Sequence, residues 1–252
     1  MNKRILLVFA ALVFFLPGCA NTMKAIENKD LKVDAKMSDT IFLEAETLAE
    51  AMPDGTGAVF VRVANTSDFQ EIDFADLVRN NLTTMGYKIT SNPKQASYLV
   101  TANLLYLNEA KEGMDMGSVV SSGFGGAVLG ASVAGATGSK WRGAGAAGLA
   151  TGLIAAGIDG AAGLAFKVKE YIGVVDLQIK EEVPGGVEGT QVAALSNGLG
   201  GNINTTRKIK ADKQEYRTRI AVNAKQTNIN REEATQQIAQ RLAAQISGLF
   251  KM

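Results

Sequence analysis

The sequence of 252 residues contains no histidine, and this absence narrows the chemistry that is open to the chain. Histidine is the usual general base of enzymes and the commonest protein ligand of transition metals. A Ser-His-Asp triad is therefore excluded, and any metal site would need oxygen ligands alone. The calcium-binding pattern Asp-x-Asp-x-Asp-Gly is absent as well. We predict that the protein is not an enzyme and holds neither a cofactor nor a metal.

Cysteine and excess charge are also scarce. Cys19 is the single cysteine, so the chain cannot form an intramolecular disulfide. The formal charge is only +1, whereas a domain that binds nucleic acid presents a strongly basic surface. No nucleic acid partner is expected.

The first 18 residues have the pattern of a secretion signal that ends at this cysteine. Lys3 and Arg4 precede an unbroken apolar run over residues 5–16, and Gly18 stands directly before Cys19. The run is too short to span a bilayer as a permanent helix, which needs roughly 20 residues. A cysteine thiol at the cleavage point can carry diacylglycerol, and the new amine can be acylated too. The pattern predicts a lipoprotein lipidated at Cys19, and the lack of an aspartate after it favours the outer membrane.

Glycine is abundant but concentrated in one part of the chain. Fifteen of the 27 glycines lie within residues 113–163, and residues 117–139 and 143–158 carry no charge. Small residues recur at every fourth position, a spacing that keeps them on one helical face and lets helices in a membrane pack closely. The two sets are Gly126, Gly130, Ala134 and Gly138, and then Gly148, Gly152, Ala156 and Gly160.

This pattern predicts two antiparallel, membrane-inserted helices within residues 113–166. Lys140, Trp141 and Arg142 would form the turn, where basic and aromatic side chains suit a membrane–water interface. Asp159 would then lie near Ser121 and Ser122, which could hydrogen-bond to it. Because few residues of these helices are strongly apolar, they would become stable only when several copies pack together. A homo-oligomer is therefore expected.

Other interpretations of the glycine-rich segment remain open at this stage. A flexible, low-complexity loop has the same composition. A phosphate-binding loop is disfavoured because no Gly-x-x-x-x-Gly-Lys-Ser/Thr pattern is present. An oligomeric pore or export-associated lipoprotein would need a polar stripe, and only scattered serines and a threonine could supply one. A lipid-tethered cell-wall enzyme is a further alternative that no recognisable motif supports.

The flanking sequence has the alternation expected of an ordinary α+β domain. Residues 58–63, 87–90, 96–107, 174–179 and 208–229 favour strands, while residues 73–85 and 231–250 have helical periodicity. We therefore expect a mixed or antiparallel sheet with flanking helices, interrupted by the hairpin. The predicted divisions are a signal at 1–18, two halves of the domain at 19–112 and 167–252, and the hairpin at 113–166.

Three stretches of the chain resemble one known family. Residues 37–44, with the sequence MSDTIFLE, resemble the early mature region of TraT-type lipoproteins. Residues 60–68, which end in Asn-Thr-Ser-Asp, and residues 171–179 are similar to the same family. The order and length of nearly the whole mature chain agree with it.

The resemblance implies an outer-membrane lipoprotein that is exposed at the cell surface and assembled from identical copies. It implies surface exclusion, which blocks redundant entry of a like conjugative plasmid, and resistance to complement. The implied partners are other copies of the chain, the outer-membrane bilayer, and either a mating-pair receptor or the pilus tip of a donor cell.

Overall fold

A computed structural model describes residues 25–51, 57–126, 167–196 and 202–251, together with positions 23 and 128. The strands and helices, in chain order, are β1 (Lys32–Met37), α1 (Ala45–Glu50), β2 (Val59–Asn65), α2 (Phe74–Thr84), β3 (Ile89–Thr90), a 3-10 turn (Pro93–Gln95), β4 (Tyr98–Glu109), α3 (Met116–Ser121), β5 (Val168–Ser196), β6 (Asn202–Thr227) and α4 (Arg231–Gly248).

One mixed sheet of six strands organises these elements, in the order β1-β6-β5-β4-β2-β3. β2 runs parallel to β3 and β4, and the remaining neighbours are antiparallel. The parallel β2–β4 pair needs a crossover, which α2 supplies. The side chain of Asp73 starts α2 by accepting a hydrogen bond from Asp76 N, and Gly86 follows its end with φ of 96°.

Two hydrophobic clusters lie on opposite faces of this sheet, because side chains alternate along each strand. The larger cluster contains the buried faces of α2 and α4, including Val78, Leu82, Ile238 and Leu242. The smaller cluster lies under α3 and centres on Val119. Its other members are Tyr106, Met114, Met116, Ile172, Val174 and Ala221.

Gly173 lies where α4 crosses β5, and a larger residue should not fit there. A Cβ atom at Gly173 would overlap Ile238 Cγ2 and lie 3.0 Å from Leu242 Cδ1. Overpacking of this kind costs about 1–3 kcal/mol, so Gly173→Ala is expected to lower the urea unfolding midpoint. Gly248→Ala is the matched control, since nothing lies within 4 Å of its Cβ position. Equal midpoints for the two variants would contradict this packing.

The membrane-inserted helical hairpin predicted for residues 113–166 is wrong as a description of this fold. α3 ends at Ser121, and Gly123 and Gly125 follow with φ of 67° and 74°, which no α-helix accommodates. Val119 of α3 is buried against the sheet. In the part of the chain that the structure describes, no helix is long and apolar enough to cross a membrane. Composition alone does not distinguish the start of a membrane-inserted helix from a short uncharged helix that packs on a sheet.

Most of the glycine-rich segment, from residue 129 to residue 166, falls outside the described residues. Asp159 belongs to this part, so its predicted proximity to Ser121 and Ser122 also lies outside the described residues. Ser122 itself has a different partner, the buried Arg219.

Candidate functional site: the β5–β6 ribbon and its base

The most distinctive surface feature is a two-stranded extension of β5 and β6 beyond the rest of the sheet. β4 last pairs with β5 at Tyr98 and Glu181, and β1 last pairs with β6 at Met37 and Ile220. Past these points, residues 187–196 pair in register with residues 211–202 and with no other strand among those that the structure describes. We call residues 187–196 and 202–211 the ribbon. At about 3.3 Å per residue it is about 33 Å long.

An irregularity separates the ribbon from the sheet. The register of β5 against β6 shifts between Glu182 and Val187, where Pro184 cannot donate to the ladder. Gly185 and Gly186 have φ of 84° and 75°, values that residues with a Cβ atom rarely adopt. An inserted bulge bends and twists a strand locally. The bulge between Glu182 and Val187 therefore marks the point where the ribbon leaves the sheet.

A buried carboxylate, Glu181, lies at the base of the ribbon, where the pairing of β4 with β5 ends. Its Oε1 accepts hydrogen bonds from Tyr98 Oη at 2.6 Å and from Glu44 N at 2.8 Å. Its Oε2 accepts one from Tyr216 Oη at 2.8 Å. Glu181 is completely buried, so these three donors replace the water that a carboxylate would otherwise bind. The arrangement ties β4, β6 and the chain before α1 to one residue of β5.

A second buried anchor lies on the opposite face of the sheet. Arg219 Nε donates to Asp176 Oδ1 at 2.6 Å, and Arg219 Nη2 donates to Asp176 Oδ2 at 3.0 Å. Arg219 Nη1 donates to Ser122 Oγ at 2.6 Å, and Arg219 Nη2 also donates to the carbonyl of Gly126 at 2.9 Å. Gly125 N donates to Asp176 Oδ2 at 2.8 Å. The pair therefore fixes residues 122–126, where the glycine-rich segment begins, onto β5 and β6.

Each of these two carboxylates accepts three hydrogen bonds from donors of the fold itself, so both act as anchors of chain segments. Among the residues that the structure describes, no three potential metal ligands of the acidic, cysteine or histidine type lie together.

Burial raises the pKa of all five tyrosines, which are Tyr87, Tyr98, Tyr106, Tyr171 and Tyr216. For Tyr216, burial and then the hydrogen bond to Glu181 raise the pKa to about 12. The folded state therefore keeps phenolic protons that the unfolded chain releases near pH 10. This contribution to stability is complete below about pH 10 and is lost as the pH rises through the folded pKa.

The free energy of unfolding should consequently fall above about pH 10, by about 1.4 kcal/mol per pH unit for each tyrosine that ionises only in the unfolded state. Urea unfolding at a series of alkaline pH values would measure this slope. Tyr216→Phe is expected to reduce it. Tyrosinate absorbance that develops with an ordinary midpoint, while the circular dichroism stays native, would contradict the burial of these hydroxyls.

Of the packing residues predicted from the sequence, the structure describes only Gly126. It lies in a bend after α3, where its carbonyl accepts from Arg219, and a Cβ there would overlap the carbonyl oxygen of Ser122. A role for Gly126 between subunits stays a prediction. The remaining predicted site residues, which lie outside the described residues, are Cys19, Gly130, Ala134, Gly138, Lys140, Trp141, Arg142, Gly148, Gly152, Ala156 and Gly160.

The anchors Asp176, Glu181 and Arg219 were not predicted from the sequence. One signal was available: Asp176 interrupts an otherwise apolar strand, Val-Val-Asp-Leu, and a charge inside such a strand needs a partner. The pattern of neighbouring residues does not identify that partner, because Arg219 lies 43 positions away in the sequence.

Comparison with known proteins gives a consistent result over the whole chain. The sequence profile of a family described as Enterobacterial TraT complement resistance protein matches residues 30–250. A TraT complement resistance protein of Escherichia coli is 32% identical over 256 residues, which cover 99% of each chain. That of Escherichia coli strain K12 is 29% identical and covers 99% of this chain and 98% of the relative.

Solved structures give a weaker likeness. A PelC dodecamer from Paraburkholderia phytofirmans covers 87% of this chain and 99% of its own, at 8% identity and a TM-score of 0.34. A single-residue variant of that dodecamer gives the same TM-score of 0.34 at 10% identity.

Proposed function

The chain belongs to the family of enterobacterial TraT complement resistance proteins, and on that premise we propose that it is a lipid-anchored protein of the outer membrane. Assembled with copies of itself at the cell surface, it acts in surface exclusion and in resistance to complement. The observation that carries this proposal is the match to the family over nearly the full length of the chain. The same match confirms the resemblance inferred from the sequence.

The fold supports an anchor at Cys19 because the chain joins the sheet soon after that residue. The carbonyl of Ala25 accepts from Thr227 Oγ1 at 2.9 Å, and the carbonyl of Asn28 accepts from Thr227 N at 2.7 Å. Six residues of extended chain reach at most about 21 Å, so lipid at Cys19 would hold this end of the sheet near the membrane.

The segment after the glycine-rich run returns to the same end of the sheet. Lys167 N donates to Asn228 Oδ1, and Val168 pairs with Thr227. The ribbon lies at the other end of β6, about 15 or more residues away, or about 50 Å along the strand. On this proposal, the end of the sheet near Thr227 faces the membrane, and the opposite end carries the ribbon.

Mating assays with recipient cells test the proposed function. Recipients that make the wild-type protein are expected to receive a like conjugative plasmid far less often than recipients without it. Cys19→Ala should restore the mating frequency, because the protein would lose its acyl chains and leave the membrane fraction. Labelling with radioactive palmitate and membrane fractionation verify that loss.

Circular dichroism of the Cys19→Ala protein checks that the domain stays folded. Equal mating frequencies for wild-type and empty recipients would contradict surface exclusion. Palmitate label and outer-membrane location that persist in Cys19→Ala would contradict the anchor.

A further inference from the structure

We propose that the ribbons of neighbouring copies pair edge to edge, with the β5 edge of one copy against the β6 edge of the next. The pairing extends the sheet from subunit to subunit and closes into a ring of antiparallel strands. This inference rests on the self-assembly proposed above and names the surface through which it occurs.

The ribbon pairs with no third strand among the residues that the structure describes. A two-stranded hairpin is marginally stable at best in water, and a third strand or a packed face is needed to hold it. None of the ribbon side chains that the structure describes, at residues 187–190, 208, 210 and 211, is buried. Both outer edges carry backbone groups that no described strand pairs with, and such edges are templates for another strand.

The strand directions favour pairing of β5 with β6 between copies. β5 and β6 are antiparallel within one copy, and each presents one outer edge. In a cyclic assembly every β5 runs in one direction and every β6 in the other, so β5 of one copy meets β6 of the next in antiparallel order. Such head-to-tail contacts form a closed ring when the rotation from copy to copy closes, and an open filament when it does not. Pairing of β5 with β5, or of β6 with β6, would stop at two copies and leave one edge of each ribbon unpaired.

The charges on the two halves of the ribbon favour the same pairing. The β5 half of the ribbon carries Glu188 and no basic residue, whereas the β6 half carries Arg207, Lys208 and Lys210 and no acidic residue. Within one copy, Lys210 already forms an ion pair with Glu188 across the two strands. A β5 edge and a β6 edge therefore attract one another between copies. Two β6 edges would repel one another, so the charges select the head-to-tail arrangement.

Charge reversal on each edge separately tests the proposal. Glu188→Lys makes both edges of the ribbon basic, and the double variant Lys208→Glu with Lys210→Glu makes both acidic. Each changes only exposed side chains, where an ion pair contributes roughly 0–1 kcal/mol, so the domain should stay folded. Mass photometry of the full-length protein, extracted in mild detergent, gives the size of the particle.

Wild-type protein is expected to give a particle of many copies, and each variant alone should lose that mass. Cells that make both variants together should recover it, because basic edges then alternate with acidic ones around the ring. That recovery also shows that each variant still folds, since a misfolded chain could not be rescued by its complement.

The inference fails on any of the following outcomes. Variants that each keep the wild-type mass would show that copies join elsewhere. Variants that lose the mass and do not recover it when made together would exclude β5–β6 pairing. A wild-type protein that is monomeric in the membrane extract would instead contradict the self-assembly itself. Normal mass with lost surface exclusion would assign the ribbon to a donor-cell partner and overturn pairing between copies.

Discussion

Asp176→Ala is expected to lower the free energy of unfolding by about 3–5 kcal/mol, the cost of leaving one member of a buried ion pair without its partner. The guanidinium of Arg219 is completely buried and has its strongest contacts with both oxygens of Asp176. Without them it keeps only the hydroxyl of Ser122 and the carbonyl of Gly126, which carry no charge. Gly125 N loses its acceptor as well.

Urea unfolding at fixed protein concentration, followed by circular dichroism, measures this loss. The matched control is the double variant Asp176→Leu with Arg219→Met, in which no buried charge is left uncompensated. Replacing a buried ion pair by apolar residues of similar volume is often neutral or stabilising, so the double variant should unfold later than Asp176→Ala. If the double variant were less stable than the single one, the cost would arise from packing and not from the orphaned charge.

The same variants connect the anchor to the glycine-rich segment. The donors of Arg219 and the acceptor Asp176 together hold three residues of the segment 122–126. Limited proteolysis should therefore cut near these residues sooner in both the single and the double variant than in the wild type. Unchanged cleavage there would show that the packing of α3 alone fixes the segment.

Glu181→Leu is expected to lower the free energy of unfolding by at least about 3 kcal/mol. Three buried donors, the hydroxyls of Tyr98 and Tyr216 and the amide of Glu44, all lose their acceptor. Each unsatisfied buried donor costs about 1–3 kcal/mol. Glu181→Gln should lose less, because its amide oxygen still accepts while its nitrogen can donate to a tyrosine oxygen.

A double-mutant cycle isolates the Tyr98 contribution. Tyr98→Phe removes one of the donors that Glu181→Leu strands, so the two substitutions together should cost less than the sum of their separate effects. The ring itself should stay in place against Phe250, whose centroid lies 5.2 Å away. Strict additivity would contradict a direct bond between Tyr98 Oη and Glu181.

Local signals in the sequence were enough for the elements that depend on local physics. The helix predicted over residues 73–85 is Phe74–Thr84, with its cap at Asp73 and its end before Gly86. The helix predicted over residues 231–250 is Arg231–Gly248, and the side chain of Asn230 caps it. Capping, apolar spacing of 3.6 residues and a glycine stop act within a few residues, and the sequence displays them directly.

Long-range pairing was not visible in this way. The strand predicted over residues 174–179 extends in fact from Val168 to Ser196. Its extension carries Glu181, Glu182 and Glu188, which have low strand propensity, and only pairing with β6 explains their extended conformation. Asp176 and Arg219 are 43 positions apart, so no motif joins them before the sheet does.

In the glycine-rich segment, a local pattern predicted a long helix that the structure does not contain at its start. Gly126 fits the fourfold spacing of small residues, but Gly123 and Gly125 have already ended the helix in the left-handed region. Periodicity counts residue types and takes no account of backbone dihedrals. The same residues that suit close helix packing also suit sharp turns.

The most direct test of the proposed surface function is survival of bacteria in fresh serum. A serum-sensitive strain that makes the wild-type protein is expected to survive better than the same strain with Cys19→Ala or with no protein. All three strains should survive equally in serum whose complement has been inactivated. Equal killing of the three strains in fresh serum would contradict the account, because a folded, lipid-anchored protein of this family would then give no protection from complement.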